Sequence, residues 1–162
     1  RAAGVLSKAN EPITWKASDG FPVYMGTRVI NSTKIETQLG GRFQLRIGNF
    51  TDDIDRNRQR NGVAPNLVHS QDAAHMRAVV RQCKAEGIAP LAFIHDDFGT
   101  HAADTERLGE IIRETFVALY TDHDPLQALA EQYENTGHEL EPLPDYGTLD
   151  IQSVLRSQYF FG

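Results

Sequence analysis

Two adjacent carboxylates interrupt the run Leu91-Ala92-Phe93-Ile94-His95-Asp96-Asp97-Phe98-Gly99-Thr100, and no residues in the chain are better suited to chemistry. An apolar segment of strand character delivers them into a tight turn. A carboxylate next to buried surface is strongly disfavoured unless something positive meets it. At a strand end that partner is typically a divalent cation, and hard cations such as Mg²⁺ take oxygen ligands. On the triplet alone, a surface turn with solvated acids is the commoner outcome, so the rest of the chain has to decide.

The other candidates are weaker. His69 and His75 flank Asp72 on a predicted helix, a pattern that invites a zinc site. Six residues at about 100° each leave the two imidazoles about 120° apart, so they cannot share one metal. His69, Ser70 and Gln71 near the helix start remain able to touch a ligand backbone or base edge. The His95-Asp96 pair of metal-dependent phosphohydrolases needs further ligands on helices, whereas this pair follows a strand. Cys83, the only cysteine, sits on an apolar stripe and reads as packing, with no intramolecular disulfide to form. Trp15 and Tyr24 read as core or edge residues.

The elements that must position these groups are legible in the patterning. At 162 residues the chain is long enough for one domain with a real core, and 40% hydrophobic content argues against wholesale disorder. No apolar stretch approaches the roughly 18 residues of a membrane-spanning helix. The chain shows no signal peptide and starts at Arg1 rather than Met, which suggests a piece of a longer polypeptide. Its net charge of −6 argues against an indiscriminate nucleic-acid binder but divides unevenly, +3 over residues 1–100 and −9 over 101–162. That asymmetry fits a polyanion-facing half backed by a solvated one, and fits helices with acidic outer faces equally well.

Residues 1–26 read as a lead-in with an extended segment, in which Ser18-Asp19-Gly20 forms a turn. Residues 27–50 hold a β-hairpin, with Thr33, Ile35 and Thr37 alternating with Lys34, Glu36 and Gln38 before Gly40-Gly41. A three-residue turn over Leu39-Gly40-Gly41 pairs 38 with 42, 36 with 44 and 34 with 46. This register places Ile35, Leu45, Thr37 and Phe43 on one face. It gathers Lys34, Glu36, Gln38, Arg42, Gln44 and Arg46 on the other. Such a ribbon has the width and donors to enter a DNA major groove, although an amphipathic hairpin with a wet outer face satisfies the same pattern. Residues 52–61 read as a short exposed helix or linker. Met76, Val79, Val80 and Cys83 predict a helix over about 66–86 that buries their stripe and stops at Gly87. Further helices are expected over about 103–121, about 125–134 and about 149–157, and the apolar end Tyr159-Phe160-Phe161-Gly162 is expected to dock.

Several segments together resemble the C-terminal part of the single-subunit, phage-type RNA polymerases, which include the mitochondrial enzymes. Asp19-Gly20-Phe21-Pro22-Val23 resembles the segment before that family's promoter-specificity hairpin, and the hairpin falls where the element belongs. Val63-Ala64-Pro65-Asn66-Leu67-Val68-His69-Ser70-Gln71-Asp72 with Ala73-Ala74-His75 is similar to a long family signature. His95-Asp96-Asp97-Phe98-Gly99-Thr100 resembles the third motif of the palm, and the aromatic end resembles the C-terminal foot.

The resemblance implies an α+β palm fragment: a small antiparallel sheet bearing Asp96, flanking helices, the extended β-hairpin, a palm portion over 51–140 and a foot over 141–162. It implies DNA-directed RNA synthesis by two-Mg²⁺ nucleotidyl transfer. Asp96 matches the catalytic metal-binding carboxylate and His95 its turn-shaping neighbour. His69 matches a residue that probes the minor groove of the nascent base pair, and Gln71 is grouped with it. Lys34, Glu36, Gln44 and Arg46 occupy promoter-reading positions, while Phe160, Phe161 and Gly162 form the foot. The implied partners are template and promoter DNA, RNA product, ribonucleoside triphosphates and the upstream remainder of the polymerase, with no membrane. The implied compartment is the cytoplasm of an infected bacterium or the mitochondrial matrix. Asp97 departs from phage relatives, which often carry a small polar residue there. Successive strand side chains point oppositely, so Asp97 is not expected to duplicate Asp96 as a ligand. The family's other metal-binding aspartate, its basic phosphate-gripping helix and its ribose-selecting tyrosine lie upstream, so this chain alone is expected to be inactive. Two alternatives are a family A DNA polymerase fragment and a non-catalytic DNA-binding module using the hairpin with Arg56, Arg58 and Arg60.

Overall fold

The computed structural model describes residues 9–37, 43–135 and 142–160. They fall into two compact units, one of residues 9–14 and 24–63 and the other of residues 15–23 and 64–160. The class is α+β as expected, with three separate two-stranded antiparallel sheets among the described residues. Strands β1 (Ile13–Lys16) and β2 (Pro22–Met25) pair with each other, and each contributes to both units.

The first unit is dominated by the long hairpin of β3 (Arg28–Thr37) and β4 (Phe43–Ile54). Its register is the expected one: Lys34 faces Arg46, Ile35 faces Leu45, Glu36 faces Gln44 and Thr37 faces Phe43. The expected turn and the 38–42 pair lie outside the described residues. The strands continue beyond the predicted end, to Ile54, because Ile30 pairs with Phe50 and Arg28 with Ile54 across an irregularity. The apolar face is not buried within this unit. Phe43, Leu45 and Ile47 are each at least half exposed, so alternation fixed the register but did not mark a core.

Residues 52–61 are neither a linker nor a separate short helix. After β4 the chain enters α1 (Arg56–Glu86), which runs unbroken through Pro65. Its first turns are anchored by a polar residue: Gln59 is fully buried and its Nε2 donates to the Glu11 carbonyl at 2.9 Å. The helical alternative for this stretch holds from Arg56 onward, but a buried glutamine adds no apolar periodicity, which is why the patterning does not join it to the helix over 66–86. The end of α1 matches expectation. Gly87, at φ +75°, takes the left-handed conformation that stops helices, and the Ile88 amide closes onto the Cys83 carbonyl at 2.9 Å.

In the second unit α1 leads to β5 (Leu91–Ile94) and β6 (Asp97–Thr100), then α2 (Thr105–Asp122) and α3 (Pro125–Glu134). A 3₁₀ turn over Ala102–Asp104 precedes α2, and another over Ile151–Arg156 replaces the predicted last helix. Asp124 caps α3 by accepting from the Leu126 and Gln127 amides. The core gathers Val79, Cys83, Ile88, Leu108, Ile111 and Ile112, with Leu91, Phe93, Phe98 and Phe160 packed against it. Burying each such aliphatic side chain is worth about 1.5–3 kcal/mol. Cys83 is fully buried there, as packing required. On the surface Arg107 ties α1 to α2 by bonding Glu86, Glu110 and Glu114 at once, and with help from Gln82 it holds the Glu86 carboxyl down at about 2.

Candidate active site

The second unit builds one wall of the site from α1. His69, Asp72, Ala73 and Met76 recur at i, i+3, i+4 and i+7 and therefore share a face. The other faces of the same stretch are held fast. Trp15, 3% exposed, donates its indole N–H to Ser70 Oγ at 2.9 Å. The backbone amide of Ser18 donates to Gln71 Oε1 at 3.3 Å, and the Ser18 hydroxyl donates to the same oxygen. Asp19, in the predicted Ser18-Asp19-Gly20 turn, grips Arg77. Behind the wall, Ala74, His75, Val79 and Cys83 are buried.

The opposite wall is the β5–β6 hairpin. Leu91 pairs with Thr100, Phe93 with Phe98 and Ile94 with Asp97, leaving His95-Asp96 as a two-residue turn. Period-two alternation sends Phe93 and Phe98 inward, where their rings meet edge-on at 5.5 Å. Ile94 is 69% exposed, so β5 is a half-buried strand and not the fully buried one its composition suggested. His95 turns the corner at φ +56°, a left-handed conformation that histidine visits more readily than most side chains.

Between the walls lies a cavity of about 650 Å³ lined by His69, Asp72, Ala73, Met76, His95 and Asp96. The Asp96 carboxylate is exposed and makes no hydrogen bond or ion pair with any described residue. A free hard-oxygen donor facing a cavity suits Mg²⁺. No group of three or more potential metal ligands occurs among the described residues, so these residues do not make a complete metal site; the cavity's carboxylates are Asp96 and Asp72. Asp97 is absent from the lining, in keeping with its place opposite Ile94. His69 Nδ1 stands 3.8 Å from Asp72 Oδ2, one helical turn along the same wall.

The structure thus brings His69, His95 and Asp96 together and sets Gln71 apart. Gln71 is 3% exposed and committed to Ser18, so it supports the wall from behind without reaching the cavity. Asp72, Ala73 and Met76 were not singled out from sequence as site residues, and Met76 was assigned to the buried stripe. Counting three, four and seven residues on from His69 finds all three. In the other unit, Lys34, Glu36, Gln44 and Arg46 are exposed on one hairpin face, where Gln44 donates to Glu36 at 3.1 Å. At the C-terminal end Phe160 packs against Phe116 with ring centroids 4.7 Å apart, and Arg113 donates to the Ser157 carbonyl at 2.7 Å. Phe161 and Gly162 lie outside the described residues.

Comparison with known proteins assigns the class. The family model for DNA-dependent RNA polymerase matches residues 3–140. The chain is 37% identical over 158 residues to the DNA-directed RNA polymerase of Enterobacteria phage T3, covering 92% of this chain and 18% of the phage protein. It is 36% identical over 161 residues to the mitochondrial DNA-directed RNA polymerase 1 of Nicotiana sylvestris, covering 98% of this chain and 16% of that protein. A DNA-directed RNA polymerase 1A of Nicotiana tabacum is 36% identical over 159 residues, which cover 97% of this chain and 99% of the tobacco protein. The chain belongs to the DNA-dependent RNA polymerase family. It spans less than a fifth of the length of the T3 phage and N. sylvestris polymerases it matches.

Proposed function

We propose that this chain is the C-terminal palm portion, with specificity hairpin and foot, of a DNA-directed RNA polymerase that extends RNA on a DNA template. The observation that supports this most is the free Asp96 carboxylate facing the His69 wall across one cavity, in a chain of this family. With two Mg²⁺ bound, the site would gain a lowered pKa for the RNA 3′-hydroxyl and neutralisation of the leaving pyrophosphate. Asp96 contributes one carboxylate to that pair of ions, and His95 fixes the turn that aims it. The second carboxylate and the triphosphate grip come from polypeptide outside this sequence, so the chain alone does not polymerise. His69, exposed on the facing wall, contacts the minor-groove edge of the nascent base pair, where acceptors common to all pairs report geometry. Lys34, Glu36, Gln44 and Arg46 read promoter bases, and the foot at Phe160 to Gly162 closes the C-terminal side. Relatives from a phage and from plant mitochondria support a working compartment in the cytoplasm of an infected bacterium or in the mitochondrial matrix.

The test is run-off transcription by the complete polymerase that carries this chain. Asp96→Asn should abolish RNA synthesis while changing stability by less than about 0.5 kcal/mol, because the side chain has no structural partner among the described residues. Synthesis at the wild-type rate by a folded Asp96→Asn enzyme refutes the assignment. DNA binding that survives alongside such unchanged synthesis would favour the non-catalytic module.

A further inference from the structure

His75 is a costly residue to bury. It is 4% exposed at the centre of the second unit, where an aliphatic side chain would pack without any desolvation cost. Its Nε2 lies 3.0 Å from the Ile112 carbonyl and 3.2 Å from Thr115 Oγ1 on α2. A carbonyl only accepts, and the Thr115 hydroxyl already donates to the Ile111 carbonyl at 2.7 Å. Both neighbours therefore accept, which puts the proton on Nε2 and bolts the ring to α2. The same ring meets Phe116 edge-on at 5.4 Å and Phe98 at 5.8 Å. Phe98 lies two residues beyond Asp96 and is locked to Phe93 across the hairpin. His75 also belongs to the helix whose next face carries His69 and Asp72 into the cavity.

We propose that His75 is a positioning residue for nucleotidyl transfer: bolted to α2 through Nε2–H, its ring holds Phe98, and thereby the His95-Asp96 turn, against the His69 wall. This rests on the assignment of Asp96 as a metal ligand. The bolt explains why a polar ring occupies a site that packing alone would fill with an apolar one.

The test uses the complete polymerase and three substitutions. His75→Phe keeps a ring against Phe98 and Phe116 but removes the N–H, Thr115→Val removes one acceptor, and Val117→Ala opens a cavity elsewhere on α2. The expectation for His75→Phe is a kcat loss of about tenfold, the size of effect a small misplacement of a reacting group produces, with nucleotide KM within about twofold. Mn²⁺ affinity, read by electron paramagnetic resonance without nucleotide, should weaken by several-fold. Thr115→Val should move both readouts in the same direction by less, and it carries the test if His75→Phe does not fold. Val117→Ala should lower the melting temperature and leave both readouts alone. The proposal is overturned if the folded His75 and Thr115 variants keep wild-type kcat and Mn²⁺ affinity, or if Val117→Ala reproduces their losses. Wild-type synthesis by Asp96→Asn would instead remove the premise.

Discussion

Arg77 meets Asp19 as a two-pronged pair, Nε to Oδ2 at 2.5 Å and Nη2 to Oδ1 at 2.9 Å, across 58 residues of sequence. The Asp19 carboxylate is 5% exposed and the guanidinium about one-third exposed, and the latter also lies 4.7 Å over the Phe21 ring. The pair fastens the Ser18-Asp19-Gly20 turn to the helix just beyond Ser70 and Gln71, which the same segment also holds. Removing the carboxylate strands a half-buried cation, so Asp19→Ala should destabilise by about 2 kcal/mol, reduced from the fully buried case by the exposure of Arg77. Chemical denaturation checks the figure. The bond from Arg77 holds the Asp19 carboxyl below its ordinary value. A depressed folded value means the stabilisation is complete above the unfolded value of about 3.9 and disappears as pH falls below it. A wild-type acid-unfolding curve that Asp19→Ala leaves unshifted would contradict this.

His75 sets a second, higher pH window. Burial pushes its imidazole below the ordinary value, outweighing the Ile112 carbonyl and the Asp72 charge, which both favour the protonated form. Above about 6.5 neither folded nor unfolded chain binds the proton, and stability is flat with respect to this group. As pH falls from there toward the folded value, the unfolded chain takes up the proton first and stability declines. Melting temperatures between pH 8 and pH 5 should therefore drop in the wild type and drop less in His75→Phe. Parallel slopes would show that another group is responsible.

If Asp96 is a metal ligand as proposed, His95 should separate stability from function. Its left-handed φ costs a non-glycine residue about 1–3 kcal/mol, partly offset in a glycine by greater chain freedom when unfolded. His95→Gly should hold or raise the melting temperature by a few degrees while lowering RNA synthesis at least about tenfold, because the residue also lines the cavity. Full activity in that variant would reduce His95 to a turn former.

The hairpin should behave as a reading element without a structural load. Exchanges at Lys34, Glu36, Gln44 or Arg46 should alter promoter choice and leave elongation on promoter-free primed templates intact. Equal losses in both assays would sink that division of labour. Threonine at Ile35, Leu45 or Ile47 should change stability by less than about 0.5 kcal/mol each, against about 1 kcal/mol or more for Val79→Ala in the core.

Much of this architecture was legible because local rules and tertiary demands agree. The hairpin register followed from alternation, the stop of α1 from Gly87, the start of α3 from Asp124-Pro125, and a tight turn from the run into His95-Asp96-Asp97, although Asp97 belongs to β6 and leaves a turn of two residues. What escaped has a common cause: polar residues doing the work of a core. Gln59 anchors the first turns of α1, Gln71 receives Ser18, and His75 bridges to α2, yet none of them adds to an apolar period. The inverse error arose on the hairpin, where an apolar face is not buried within its own unit. The cavity-lining places of Asp72 and Met76 are not legible in the sequence, because they depend on which helix face the β5–β6 turn meets, and that is a tertiary fact.

The wet ribbon of β3 and β4 has an evolutionary corollary. Where side chains pack a core, each change of what they contact is also a change in folding free energy, and the two are selected together. Residues 31–36 and 43–50 of the ribbon are exposed on both faces, and their strands are joined mainly by backbone pairing with the Gln44–Glu36 bond beside it. If the ribbon reads promoter DNA as proposed, it can acquire a new sequence preference one residue at a time while the rest of the molecule remains unaltered, so recognition can diverge faster than the fold that presents it.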